Sequence, residues 1–377
     1  MDHETLFDLA ADREVRKAAG FREVAKGLDV EILNRLYLKQ MEQAPRRPDA
    51  GKKYFVEHDG TLPKRGAKRD EDQLSIGLLN HAKDVNRALP LPARLPGDEP
   101  GGLTILDYHV PLKVAAADAG PARVDVLGQG KDDRMALVVL RWLPASASRG
   151  STGDTPLRLL LEGLSACAVL DANRDAVRAE AKEAFGVSFA DAPPLLYLVA
   201  SPRWWELARR REAQKGAAWI NQMERLVTVL DGSEAKERAA AATEAGDEPP
   251  PVPDCPGVTV RFLSLHIEGE PAWEIQNEKP SLVSVARLQT AWESTAGRIK
   301  PKARPRPKSG PVEPEEVEPD LSRPVRAYRL HDAYTPGDRI EHSTLGLGVV
   351  QFLAGPTKIE VLFDGVKRVL VHDRPSP

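Results

Sequence analysis

Apolar residues recur along this chain at two different periods. Val30, Leu33, Leu36 and Leu38 fall near helical spacing and predict a helix over 21–43. Leu74, Leu78 and Leu79 share one side of a second predicted helix, 70–88. Denser runs at 104–108, 123–128 and 135–143 read as strands. Thr155 before Pro156 then marks a helix start, because a first helical turn does not need the N–H that proline lacks. The helix it opens, 157–171, is apolar almost all round, so burial is expected. Beyond it the pattern predicts a helix at 173–185, a strand at 195–200 and a long helix at 203–230. A strand at 258–267 and a closing helix at 281–293 complete the series. Helices alternating with strands indicate an α/β or α+β fold, a mixed sheet with flanking helices.

The last fifty residues follow another rule. Short apolar runs at 339–342, 348–353, 358–363 and 368–372 are separated by Pro336-Gly337-Asp338, Gly346, Gly355-Pro356 and Asp364-Gly365. Such turn chemistry between short strands suits a small SH3-like β-barrel, whose closure removes exposed edges. The 32 prolines mark the joints. Residues 231–256 contain Pro249-Pro250-Pro251-Val252-Pro253 and read as a disordered loop, with the Ala/Glu-rich piece 239–245 open to extending the preceding helix before the prolines end it. Residues 297–327 read as a charged linker, basic over 298–308 and acidic from Glu313 to Asp320. The expected organisation is a body, 1–296, in which 1–60 either dock on the core or form a separate helical cap, then the linker, then a barrel over 328–377.

Length fits this division, since 377 residues suit two or three domains. The net charge of −3 excludes a globally basic nucleic-acid coater, but not a local basic patch. Two cysteines, Cys167 and Cys255, are too few for a disulfide scaffold or a Cys-rich zinc site. Free thiols in a reducing cytoplasm are expected. No apolar run approaches the roughly 18 residues of a membrane span, and the acidic start Met1-Asp2-His3-Glu4 lacks a signal core. Neither a membrane partner nor secretion is expected.

The tail carries a resemblance. Gly337-Asp338-Arg339-Ile340-Glu341-His342, then Gly346-Leu347-Gly348-Val349-Val350, then Phe363-Asp364-Gly365 and Lys367-Arg368-Val369-Leu370 resemble the tudor-like domain that ends UvrD/PcrA-type helicases. Leu345 stands where that pattern has Phe. In those helicases the module is an adaptor associated with RNA polymerase or nucleic acid. The resemblance therefore implies recruitment to a helicase, RNA polymerase or DNA in a bacterial setting.

The body carries a second one. Asp125 lies in an apolar strand, and the following strand reads Leu137-Val138-Val139-Leu140-Arg141-Trp142. A helix led by Thr155-Pro156 comes next. This resembles the core of the PD-(D/E)XK nuclease superfamily, where a carboxylate on one strand and an (E/Q)-x-K on the next converge on a divalent metal. The resemblance assigns Asp125 as first acid, Arg141 to the lysine position and Val139 to the glutamate position. Valine cannot ligate a metal, and arginine is a fixed cation that binds phosphate well. Glu162, alone in an apolar helix, is the candidate for a migrated ligand, and Glu71 for an assisting acid. A buried Glu162 needs a partner, which the sequence leaves open between a metal, Arg141 and Arg158.

Trp204 and Trp205 beside Arg203 are candidates to stack on bases and grip phosphate, with burial of the tryptophans as the plainer alternative. Gly128-Gln129-Gly130 lacks the third glycine of a dinucleotide fingerprint and reads as a hairpin turn. Ser165 in mid-helix is no nucleophile elbow, and the histidines lack zinc spacing. The leading expectation is a nucleic-acid-associated binding or regulatory protein, contacting DNA, with a degenerate nuclease-like site. An active Mg²⁺-dependent nuclease using Asp125 and Glu162 is the second expectation, and a protein–protein adaptor the third.

Overall fold

The computed structural model describes residues 3–64, 69–84, 88–93, 101–150, 153–210, 218–245, 248–249, 251–292 and 316–374. The chain divides into two units, Met1–Gly297 and Arg298–Pro377. The basic stretch 298–308 lies outside the described residues.

The first unit runs α1 (Leu6–Ala11), α2 (Arg13–Arg16), α3 (Phe21–Gly27), α4 (Val30–Glu42), α5 (Asp70–Asp84), β1 (Ala88–Leu91), β2 (Gly101–Pro111), β3 (Arg123–Gln129) and β4 (Met135–Arg141). It continues with α6 (Pro156–Asp171), α7 (Arg174–Phe185), β5 (Leu195–Ala200), α8 (Pro202–Arg209), α9 (Ile220–Asp231), α10 (Ser233–Ala245), β6 (Thr259–His266), β7 (Trp273–Gln276), β8 (Lys279–Leu282) and β9 (Arg287–Thr290). Among the described residues, seven strands form one mixed sheet in the order β1-β2-β3-β4-β5-β6-β9. Neighbours from β1 to β4 are antiparallel, β4-β5-β6 are parallel, and β9 is antiparallel again. The edge strands β1 and β9 approach each other, so the sheet curls toward a barrel. The α+β class read from the sequence is the class observed.

The layering follows from β4 and β5. Their continuous apolar runs are buried on both faces, as central parallel strands require. Met135, Leu137 and Val139 face a core built with α1, α3, α4, α6 and α9, whereas Ala136, Val138 and Leu140 face a second core under α5. Helix α6 is apolar all round because it lies between the sheet and the N-terminal helices. Gly163 allows that approach: a Cβ there would sit 2.9 Å from Leu196 of β5. Residues 1–60 are thus not a separate cap, since Leu6, Leu9, Leu33 and Leu36 belong to the same core as α6.

Several predicted elements break where local chemistry intervenes. The helix expected over 21–43 is two, because Asp29 turns the chain and caps α4, accepting the Ile32 N–H at 2.8 Å. The helix expected over 203–230 is α8 and α9, with 211–217 outside the described residues. Gly232, at φ 70°, stops α9, and α10 occupies much of the stretch read as a disordered loop. The expected helix 281–293 is absent: Lys279–Leu282 pairs with β7, and Arg287–Thr290 pairs with β6. Asn277 and Glu278, both at positive φ, make the two-residue turn that sets the β7–β8 register.

The second unit is a five-stranded sheet in the order β10 (Arg326–Ala327), β11 (Arg339–His342), β12 (Gly346–Gly355), β13 (Lys358–Phe363) and β14 (Val366–Val371). Tyr334, Ile340, Val350, Ile359, Val361 and Phe363 form its core, and Leu345 packs against them. His342 holds a turn, its Nδ1 accepting the Thr344 N–H at 3.2 Å. Part of the expected linker belongs here: the Val317 N–H donates to Gln351 at 2.8 Å, and Arg326–Ala327 is strand β10.

Because α6 is covered on all sides, Leu164→Ala leaves a cavity that neighbours cannot fill. It is expected to lower the unfolding free energy by about 2–5 kcal/mol, measured in urea. A loss below about 1 kcal/mol would contradict this placement of α6.

Candidate functional site

Strand β4 ends on Arg141, Trp142 follows it, and the two side chains leave on opposite faces of the sheet. Arg141 enters a cavity of about 620 Å³ on the α6 side. Asp125 from β3, Val139 from β4, Glu162 from α6 and Glu71 from α5 line the same cavity. The residues expected to form one site therefore do line one cavity, with Val139 beside Asp125.

Their hydrogen bonds define what they can do. Arg141 Nε donates to Asp154 Oδ1 at 2.9 Å, Nη2 donates to Glu162 Oε2, and Nη1 donates to the Leu140 carbonyl. Arg158, one helical turn before Glu162, donates Nε to Glu162 Oε1 at 2.8 Å. Both Glu162 oxygens are thus engaged by arginines. Asp154 Oδ2 accepts the Trp204 indole N–H at 2.8 Å. Only 11% of the Arg141 and Asp154 side chains and 20% of Glu162 is exposed, so these charges interact with little water between them. Burial works against the Arg141 charge, but Asp154 and Glu162 outweigh it and hold the guanidinium protonated.

Asp125 is placed differently. Its Oδ2 accepts the Leu140 N–H at 2.7 Å, where the β3–β4 ladder has already ended at Val126 and Val138. The carboxyl caps the strand end. Burial pushes its pKa above the usual carboxylate range, against the pull of the Leu140 N–H, Arg141 and Arg123. Glu71 accepts the Trp142 N–H at 3.3 Å and lies 3.4 Å from Arg69. The residues do not fit Mg²⁺. That ion needs near-octahedral oxygen donors, whereas Glu162 is spent on two arginines, Val139 offers no donor and Arg141 brings a positive charge into the same space. Among the described residues, no group of three or more His, Cys, Asp or Glu side chains is placed to hold a metal ion.

The tryptophan candidates are corrected. Trp204 is 4% exposed and Trp205 fully buried, with the Trp205 indole N–H donated to the Leu263 carbonyl at 2.9 Å. They pack edge to face within an aromatic cluster that includes Phe262 and Trp292, so no base can stack on them. Arg203 donates to the Ala147 carbonyl and to Glu206 rather than standing free for phosphate.

Two features were missed. One is Asp154, immediately before the Thr155-Pro156 helix start, the acid that anchors both Arg141 and Trp204. The other is Asp107, 1% exposed on β2, which meets His58 Nδ1 at 2.7 Å and accepts the Tyr108 and Val56 N–H groups. A lone Asp inside the run Ile105-Leu106-Asp107-Tyr108 was the available signal. Neighbouring His109 is half-buried and neutral, its pKa pulled down to about 3 by desolvation and then by Arg123. Its approach to Asp72 at 3.8 Å is therefore not an ion pair. Among the described residues, no helix is long and apolar enough to cross a membrane. No family model matches the chain, and no curated protein or solved structure matches it either.

Removing one partner from a buried ion pair strands the others. Arg141→Ala is expected to lower stability by about 3–5 kcal/mol, with Arg141→Lys recovering less than half, because an ammonium lacks the fork that spans both acids. Urea unfolding checks it, and a loss under about 1 kcal/mol for the alanine variant refutes the clamp.

Asp125 gives a pH-dependent test. A carboxyl whose folded pKa is raised adds stability below its unfolded pKa, about 3.9, and loses that contribution as pH rises through the folded value. Asp125→Asn removes the loss while keeping an oxygen for the Leu140 N–H. The variant is expected to gain on wild type at neutral pH, with the gain fading below about pH 4. An advantage that grows on acidification contradicts the raised pKa.

Proposed function

We propose that the protein is a non-catalytic, nucleic-acid-associated regulatory protein. In this reading its body is a degenerate nuclease-like domain, and its C-terminal sheet is a tudor-like recruitment module. The observation that carries the non-catalytic part is the Arg141 guanidinium between Asp154 and Glu162. A fixed positive charge satisfies the acids that a nuclease would turn toward a cation. Arginine, which stays protonated at any working pH, cannot supply the proton-shuttling lysine either. Support for recruitment comes from the tail. It folds as a small five-stranded sheet around residues of the helicase-like pattern, and Leu345 packs against its core. The partners on this reading are DNA, with a helicase or RNA polymerase reached through the tail. The setting is the reducing cytoplasm, where buried Cys167 stays an inert thiol.

Incubation of the full chain with plasmid and single-stranded DNA in Mg²⁺ or Mn²⁺ is the test. The expected result is no cleavage, together with a gel shift that weakens as salt rises. Cleavage that Asp125→Ala abolishes would overturn the non-catalytic reading in favour of a metal-dependent nuclease. Absence of both cleavage and shift would remove nucleic acid and leave an adaptor of proteins.

A further inference from the structure

The second side chain at the end of β4 leads to a different place. Trp142 lines a cavity of about 850 Å³ on the sheet face opposite the Arg141 clamp. The cavity lies at the carboxyl ends of the three parallel strands: β4 ends at Arg141, β5 before Ser201, and β6 at His266. Ligands of α/β sheets collect at that end, where loops diverge and leave a crevice.

Its walls are specific. Trp142 and Trp273 meet with ring centroids 5.4 Å apart at 66°, forming an open aromatic corner. Trp273 is held in place by its indole N–H, which donates to Gln73 at 2.9 Å. Pro144, Pro271 and Ile267 add apolar surface. The charged lining is unbalanced. Arg287 is paired with Glu268 at 3.2 Å, and Arg203 with Glu206 at 2.6 Å, which leaves Asp70, Glu270 and Glu274 as an acidic excess.

One donor is also left over. The chain has six tryptophans. Five indole N–H groups are satisfied, by Asp154, Leu263, Ala208, Gln73 and Glu224. The Trp142 indole N–H has no partner among the described residues, and its ring lines the cavity. A half-buried aromatic with a spare donor, two indole faces at an angle and surplus carboxylates form one recognition pattern. An alkylated ammonium sits against indole faces because their negative quadrupole attracts a weakly hydrated cation, and carboxylates nearby add to the attraction.

We propose that this cavity binds a small substituted-ammonium ligand carrying a hydrogen-bond acceptor. The ammonium rests in the Trp142–Trp273 corner, and the acceptor takes the Trp142 indole N–H. This role is separate from the Arg141 clamp and independent of nucleic acid.

Choline is the probe, because it joins a trimethylammonium group to a hydroxyl. Its carbon isostere, with tert-butyl in place of trimethylammonium, is the control. Binding to the full chain is read by the indole N–H signals in a ¹⁵N–¹H spectrum, with Trp142 assigned through Trp142→Phe. Choline is expected to shift the Trp142 signal saturably while leaving buried Trp205 unmoved. The isostere should bind at least about tenfold more weakly, the size of a desolvated cation–π contribution. Trp273→Ala should abolish the shift. In case that variant unfolds, Glu270→Lys and Glu274→Lys, both at exposed positions, should each weaken binding several-fold in a folded protein. Equal binding of choline and its isostere would overturn the proposal, since the cavity would then be merely apolar. So would an unchanged affinity in both lysine variants, or no saturable shift at tens of millimolar choline.

Discussion

A single guanidinium organises the body of this protein. Arg141 closes β4, reaches Glu162 in the middle of α6, and takes Asp154 from the loop before it. Asp154 in turn holds Trp204 at the start of α8. The end of β4, the loop before α6, the middle of α6 and the start of α8 are thus joined through Arg141 and the acid it anchors. In water such a set of charges would contribute little. Here their mutual attraction is strong, and it is needed, because each charge has been taken from solvent and has nowhere else to turn. The rest of the α6 face is apolar, so the clamp is its polar fixed point.

The sheet separates two environments at that end. Successive residues of a strand point to opposite faces, so Arg141 and Trp142 belong to different cavities although they are adjacent. The first turn of α5 does the same from the other side: Asp70 lines the cavity with the tryptophan pair, and Glu71 lines the cavity with the clamp. Glu71 also accepts the Trp142 N–H, so the two environments share a wall made of one strand end and one helix start.

Much of this architecture was legible in the sequence, and the failures have physical causes. The strands over 135–143 and 195–200 were readable because long apolar runs leave little choice of environment, and 123–128 because Val124, Val126 and Leu127 are close-spaced, two of them β-branched. Helix α6 was announced by Thr155-Pro156, and the Thr155 side chain does cap it, accepting the Arg158 N–H at 3.2 Å. The expected helix at 281–293 failed because a short apolar segment fits both periods, and pairing with β6 and β7 decided between them. The convergence of Asp125, Glu71, Arg141 and Glu162 on one cavity was anticipated from the family pattern. Arg141 and Arg158 were among the partners the sequence left open for Glu162, and both bind it. What the sequence did not show is that Asp154 shares the Arg141 guanidinium, across a turn whose path it does not specify. The Trp204-Trp205 pair misled because adjacency says nothing about exposure. Both side chains turn inward around a helix start, one to meet an acid and the other a backbone carbonyl.

The clamp also bears on how such a protein can change over generations. Turning this cavity toward a metal would require further carboxylate donors and the release of Glu162 from Arg141 and Arg158. A carboxylate introduced first would enter a crowded, already balanced set of charges. Loss of Arg141 first would leave Asp154 and Glu162 without their shared counter-ion. Substituting any one of Arg141, Asp154 and Glu162 alone therefore leaves a buried charge short of a partner. Selection acting one substitution at a time meets a ratchet, in which side chains that suit one another hold the sequence where it is.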